Sequence, residues 1–276
     1  MKTTEKTESK ENFSLNQSIT RVRPGFEGRK FENALMIVGL PGIGLVSKMA
    51  VDQLTRVLKA EKIAFINSPH FPNQVLALKN GRLRAFSIKF YHKKLNGKNL
   101  VLVRGDLQPL TVEGQYEVSG KILELARDFG VQTVIAMAGY ATNAKIEKKP
   151  VIYYSATSSE LAKKIASLGG KKPARVVPVV GMSGLVPALA RVYGLQGVCL
   201  LVETPGTIID ATGAKALLEL LEKFLGKKID VAELDKRAKN AEKALRKFEE
   251  QAMQAQKLGG APALTEPLKK ELTYIR

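Results

Sequence analysis

Unbroken apolar runs alternate with amphipathic stretches through most of this chain. Ala34-Leu35-Met36-Ile37-Val38 has no polar interruption, which predicts a strand buried on both faces. Ile63 to Ile66, Leu100 to Val103, Val131 to Ala138, Val151 to Tyr154, Arg175 to Val180 and Val198 to Val202 repeat the signature. Between them lie stretches with apolar positions at helical spacing. The first carries Leu45, Met49, Val51, Leu54 and Leu58, and others run from Gly114 to Phe129, Ser158 to Leu168, Leu185 to Tyr193 and Thr212 to Leu225. Val75 to Lys79 and Arg82 to Tyr91 flank Asn80-Gly81. An Asn-Gly pair takes the positive φ angles of a tight reverse turn, so a hairpin is predicted there, and Asn96-Gly97 marks a second turn.

Strands alternating with helices through short glycine turns predict an α/β fold. The sheet is expected to be mixed and largely parallel, with helices on both faces and the hairpin adding antiparallel pairs. Residues 1–25 are polar and aperiodic and read as a flexible arm, and residues 26–228 read as the core domain. Residues 229–258 read as one long charged helix. Its stripe of Leu234, Ala238, Ala241, Leu245, Phe248 and Ala252 suits docking on the core better than a coiled coil, because alanine buries little area. Leu258-Gly259-Gly260-Ala261-Pro262 breaks that helix, and residues 259–276 read as a flexible tail.

Composition removes several chemistries. Cys199 is the single cysteine among 276 residues, so neither a disulfide framework nor a cysteine-ligated metal is expected, and His70 and His92 are too few for a histidine-rich centre. The sequence calls for no cofactor. No apolar run reaches the roughly 18 residues of a membrane span, and the polar segment Met1 to Gln17 lacks a secretory core, so a cytoplasmic setting is expected. The formal charge is +18, and positions 62–104 hold nine Lys or Arg and no acid. Such a stretch attracts an acidic partner or simply solvates the surface. Nucleic acid is the weakest candidate, because no binding module or cluster of stacking aromatics accompanies the charge.

Two glycine turns are the candidate ligand site. Gly39, Gly42 and Gly44 lie between a buried strand and a helix start, where backbone N–H groups and the helix dipole suit an anion. Their order is G-x-x-G-x-G rather than the dinucleotide fingerprint, Pro41 lacks a donor, and close helix–strand packing explains glycines equally well. Gly181-Met182-Ser183-Gly184 is the second turn. A nucleophile elbow would need glycine where Leu185 stands, so Ser183 reads better as a helix cap than as a nucleophile. Asp106, Glu113, Glu203 and Asp210 sit in turn-like positions, with Asp210 suited to capping the helix after it.

Gly39-x-Pro41-Gly42-x-Gly44-x-Val46 after a buried strand resembles the opening motif of the proteasome-assembly-chaperone family. The hairpin at Asn80-Gly81, the turn Gly181-Met182-Ser183-Gly184-Leu185 with Gly194 after it, and Glu203-Thr204-Pro205-Gly206 with Asp210-Ala211-x-x-Ala214-x-x-Leu217-Leu218 continue the match in order over about residues 30–250. The resemblance implies a phosphorylase/hydrolase-like α/β core, homo-oligomers, no enzymatic activity and docking on the α-ring of the proteasome core particle. Several members dock through a C-terminal hydrophobic–Tyr–any tripeptide, which assigns partner contact here to Leu272, Tyr274, Ile275 and Arg276. In this chain tyrosine stands one place earlier, at Tyr274. The alternative is an enzyme or an anion- or small-molecule-binding protein using the crevice between the two glycine turns.

Overall fold

The computed structural model describes residues 17–142, 149–206, 209–240 and 243. In chain order the elements are β1 (Ile19–Val22), β2 (Ala34–Gly39), α1 (Val46–Val57), β3 (Glu61–Asn67), β4 (Val75–Ala77), β5 (Leu83–Ala85), β6 (Ile88–Leu95), β7 (Lys98–Gly105) and α2 (Val112–Asp128). Then come β8 (Val131–Ala141), β9 (Ile152–Ala156), α3 (Ser159–Ser167), α4 (Met182–Leu189), β10 (Gln196–Thr204) and α5 (Ala211–Leu225).

Eight strands form one mixed sheet in the order β1-β3-β6-β7-β2-β8-β10-β9. Strands β7, β2, β8 and β10 are mutually parallel and make its centre. Antiparallel pairs extend it on both sides, β1/β3, β3/β6 and β6/β7 on one and β10/β9 on the other. The mixed α/β sheet expected from the sequence is therefore present, but it is not largely parallel: four of its seven strand pairs are antiparallel and the three parallel pairs are confined to the centre, because the antiparallel strands extend it at both edges. Successive residues of β2 point to opposite faces. Met36 and Val38 pack with α2 and α4 through Val118, Ile122, Met182 and Val186. Leu35 and Ile37 pack with α1, α3 and α5 through Val51, Leu54, Ile165, Leu217 and Leu221. Both faces are covered by helices.

Three differences from the sequence reading have physical causes. Residues 19–22, expected within an irregular arm, form edge strand β1, because backbone pairing with β3 needs no apolar pattern in the side chains. The second hairpin arm is split. β4 and β5 form a separate two-stranded ribbon, and the chain re-enters the main sheet at Ile88. Only Gly81 of the Asn80-Gly81 pair has positive φ, so the loop is a turn ending in a left-handed glycine, whereas Asn96 (φ 49°) and Gly97 (φ 78°) both take it. Arg175 to Val180, expected as a core strand, forms none: Arg175 lies in a bend and residues 176–180 take no regular secondary structure.

Residues 234–240 are helical, and Leu234 and Ala238 are buried. Leu234 packs in the α1/α5 core, and Gln53 Nε2 on α1 donates to the Asp230 carbonyl. The helix expected from 229 begins instead at 234, after an irregular stretch over 229–233; its first residues dock on the chain's own core, and the remainder of the 229–258 reading, like residues 259–276, lies outside the described residues apart from Lys243. Among the described residues no helix is long and apolar enough to cross a membrane.

Candidate functional site

The four parallel strands end at one rim, the edge at which α/β sheets seat what they bind. The two glycine turns meet there. Gly39 closes β2 directly under α1, and a methyl group on it would stand 2.3 Å from the Ser47 carbonyl oxygen and 2.5 Å from Val51 Cγ2. Gly44 has φ +65°, and a methyl there would lie 2.8 Å from Thr204 Oγ1. Its carbonyl accepts from the Asp210 N–H at 2.9 Å, which ties the first turn to α5. Close approach thus accounts for Gly39 and Gly44. Gly42 is extended, with φ −172°, and nothing but Gln108 Nε2 comes within 4 Å of a methyl placed there.

Gln108, between β7 and α2, joins the turns. Its Nε2 donates to the Pro41 carbonyl at 2.5 Å, and its Oε1 accepts from the Met182 N–H at 3.0 Å. The crevice between the turns is spanned by this carboxamide, and the first N–H of α4 already has an acceptor. An anion would have to displace it. Ser183, expected as the cap of α4, lies buried within the first turn of the helix, whose N-cap is Gly181 (φ +88°) with no side-chain cap. Gln108 supplies the missing acceptor. Gly184 packs against the segment before α4, where a methyl would come within 2.7 Å of Val179 Cγ1. Gln108→Ala removes two hydrogen bonds from a half-buried position and should lower stability by about 1–2 kcal/mol. A lower urea midpoint at unchanged m-value checks this.

The other candidate groups are engaged elsewhere. His70 Nε2 lies 2.6 Å from Glu117 Oε2, and Glu117 Oε1 accepts from the Ser18 N–H at 2.5 Å. Burial works to raise the Glu117 pKa, but the bonds from Ser18 and His70 outweigh it and hold the group below the ordinary value. His92 lies 3.0 Å from Asn99 Oδ1 and stacks on Phe31 at 3.9 Å. Among the described residues neither histidine is hydrogen-bonded to Ser183. Glu113 sits in the first turn of α2, and Asp210 caps α5 by accepting from the Gly213 N–H at 3.0 Å. Glu203 accepts from the Tyr153 hydroxyl and the Val151 N–H, each at 3.0 Å. The bond to Tyr153, with burial, raises the Tyr153 pKa. Burial pushes the Cys199 thiol up to about 12, so it is no thiolate at neutral pH. Among the described residues no group of His, Cys, Asp and Glu is placed to hold a metal. A cleft of about 420 Å³ at the opposite edge is lined by Lys94, Lys98, Lys164 and Phe224, and none of the glycine-turn residues borders it.

Asp106, two residues before Gln108, is the electrostatic anchor of the rim. It pairs with Arg84 of β5, accepts from Lys89 Nζ at 2.9 Å, and accepts from the Ser87 N–H at 3.1 Å. Burial would raise its pKa, but the bonds from Arg84 and Lys89 prevail and lower it. Asp52 on α1 pairs with Lys48 at 2.7 Å and with Arg104 at 2.9 Å. Three of the nine cations in the acid-free stretch, Arg84, Lys89 and Arg104, therefore face carboxylates from outside it. A sequence window cannot show that neutralisation. Lys79 and Arg82 at the ribbon tip have no carboxylate partner among the described residues.

Eight of the nine large exposed apolar side chains among the described residues lie on the ribbon and its loop (Val75, Leu76, Leu78 and Leu83), on α2 (Val112 and Tyr116) and before α4 (Val176 and Val180). The turns at the rim are closed by their own carboxamide, which leaves the exposed apolar groups of these segments as the features suited to contact.

The PAC2 family model matches residues 36–249. The chain belongs to the PAC2 family. This PAC2 protein is 34% identical over 247 residues to the uncharacterized protein MJ1210 of Methanocaldococcus jannaschii, covering 88% of this chain and 93% of that one. Its structure is similar to that of Pyrococcus furiosus PbaB, an archaeal proteasome activator, with TM-score 0.73 and 35% identity over 85% of this chain and 99% of that one. It is also similar to P. furiosus PbaA, an archaeal homolog of proteasome-assembly chaperone, with TM-score 0.71 and 28% identity over 87% and 99% of the two chains. These matches confirm the family resemblance carried by the glycine turns and the hairpin.

Proposed function

We propose that this PAC2 protein is a non-enzymatic, homo-oligomeric chaperone or activator that binds the α-subunits of the proteasome core particle. The similarity to PbaB at 35% identity over 99% of that chain carries the reading. The structure supports it, because Gln108 occupies the crevice a ligand would use while apolar side chains of the ribbon, of α2 and of the segment before α4 face solvent. Leu272, Tyr274, Ile275 and Arg276 are the proposed contact, with Tyr274 as the aromatic anchor and the terminal carboxylate as its charged companion. The positive charge of the 79–104 region raises the encounter rate with an acidic surface. The protein acts in the cytoplasm on this reading.

Pull-down with purified core particle tests it, comparing the full chain with one ending at Gly260. The full chain recovers core particle and the shortened chain loses most of that recovery. Equal recovery by both would remove the tail from the contact, and no recovery by either would remove the partner.

A further inference from the structure

The cleft at the edge opposite the glycine turns is assembled from segments far apart in the chain. Strands β2, β7 and β8 begin there, the turn at Gly97 borders it, and α3 and α5 end beside it. Its volume of about 420 Å³ falls within the roughly 300–1,000 Å³ of small-molecule sites. Lys94 of β6, Lys98 of β7 and Lys164 of α3 line it, and Glu32 is the one acid among the described residues that do. None of the three lysines has a carboxylate partner among the described residues. Lys94 and Lys98 thus differ from Lys89 and Arg104 of the same acid-free stretch, which face Asp106 and Asp52. Like charges that share a concave surface without counter-charges focus a field that draws in an anion.

The walls are fixed by contacts within the chain. His92 stacks on Phe31 at 3.9 Å and lies 3.0 Å from Asn99 Oδ1, and Asn99 Nδ2 donates to the Glu32 carbonyl at 2.9 Å. The loop before β2 is therefore pinned to β6 and β7. The Lys164 ammonium group stands 4.1 Å from the centre of the Phe224 ring. The register between β2 and β8 shifts at this point, with Ala34 opposite Val131 and Leu35 opposite Thr133, so Gln132 has no partner on β2. An extra residue of this kind re-aims a side chain. Gln132 is exposed, lines the cleft, and its carboxamide has no hydrogen-bond partner among the described residues.

The kind of cation points to the kind of anion. A lysine ammonium is a point charge that meets phosphate oxygens from any direction, whereas a planar carboxylate is best matched by the arginine fork. Among the described residues lining the cleft there is no arginine, and Phe224 is the one aromatic. Lys164 already covers a face of that ring, so no free platform is left for stacking a base.

We infer that this cleft binds an oligophosphate group, free or carried by a nucleotide, through Lys94, Lys98 and Lys164, with the Gln132 carboxamide as a neutral donor. The phosphate chain is what it recognises, and the base is not read. The site shares no residue with the glycine turns or with the proposed C-terminal contact, so it stands or falls separately from the function proposed above.

Isothermal titration calorimetry of the full chain with tripolyphosphate, ATP, adenosine and citrate tests it, with circular dichroism verifying that each variant is folded. Tripolyphosphate and ATP are expected to bind once per chain with comparable affinity, citrate more weakly, and adenosine not at all. Lys98→Ala and Lys164→Ala should each weaken tripolyphosphate binding about tenfold, the loss of one charge-assisted contact. Lys163→Ala removes the same charge from a neighbouring position outside the cleft and should leave the affinity nearly unchanged. No binding of tripolyphosphate, or equal weakening by all three variants, would overturn the site. Citrate binding as tightly as tripolyphosphate would overturn the assignment to phosphate, and binding of ATP without tripolyphosphate would show that the base is read and overturn it too.

Discussion

The Gly39→Ala variant is expected to lose about 3 kcal/mol of stability, while Gly42→Ala changes it by less than about 0.5 kcal/mol. Both glycines belong to one motif, but their surroundings differ. A methyl group at position 39 would be driven to 2.3 Å from a backbone oxygen in the first turn of α1 and 2.5 Å from Val51, a fully buried side chain. Neither neighbour is a flexible chain end. Helix α1 would have to lift from β2, although Ser47 Oγ holds it to the Leu40 carbonyl at 2.7 Å. At position 42 the backbone is extended and the nearest atom is 3.9 Å away. Calorimetry should show Gly39→Ala melting roughly 6–12 °C lower. Equal melting temperatures for the two variants would mean that close approach is not why glycine stands at 39.

Asp106→Asn should cost about 2–3 kcal/mol, because two half-buried cations, Arg84 and Lys89, lose the carboxylate between them. Burial already lowers the Lys89 pKa, and Asp106 opposes that shift, so the variant leaves an ammonium group in a poor environment. The pH dependence follows from the sign of the Asp106 shift. Its pKa is lowered in the folded protein, so its stabilising contribution is complete above the unfolded value of about 4 and disappears as pH falls through the folded value. Asparagine does not titrate. Chemical denaturation from pH 7 to pH 3 should therefore find the two proteins well separated at neutral pH and converging in acid. A constant gap across that range would contradict the role given to the carboxylate.

The centre of the sheet was legible because strands covered on both faces must be apolar throughout. Ala34 to Val38, Leu100 to Val103, Val131 to Ala138 and Val198 to Val202 show no sustained alternation, and all four are central and parallel. The edges were not legible, because an edge strand such as β1 is held by backbone pairing and its side chains carry no pattern. Arg175 to Val180 misled for the converse reason. An apolar run marks a surface that must be covered, and the pattern does not say whether its own core or another chain covers it. Asp106 was visible as a carboxylate in a turn, yet its partners come from β5 and β6, some twenty positions away. Gln108 had no signature at all, since a lone glutamine beside a proline belongs to no motif. Its role exists only because the fold brings Pro41 and Met182 to either side of it. The family resemblance succeeded where single motifs did not, because the order of several weak signals along the chain is itself informative.

The most direct measurement of the central claim is native mass spectrometry of the full chain mixed with purified proteasome core particle. A new species at the summed mass of core particle and bound chain, lost when the chain ends at Gly260, is the predicted result. Two unchanged species across micromolar concentrations, with a metabolite instead raising the melting temperature of the chain, would contradict it.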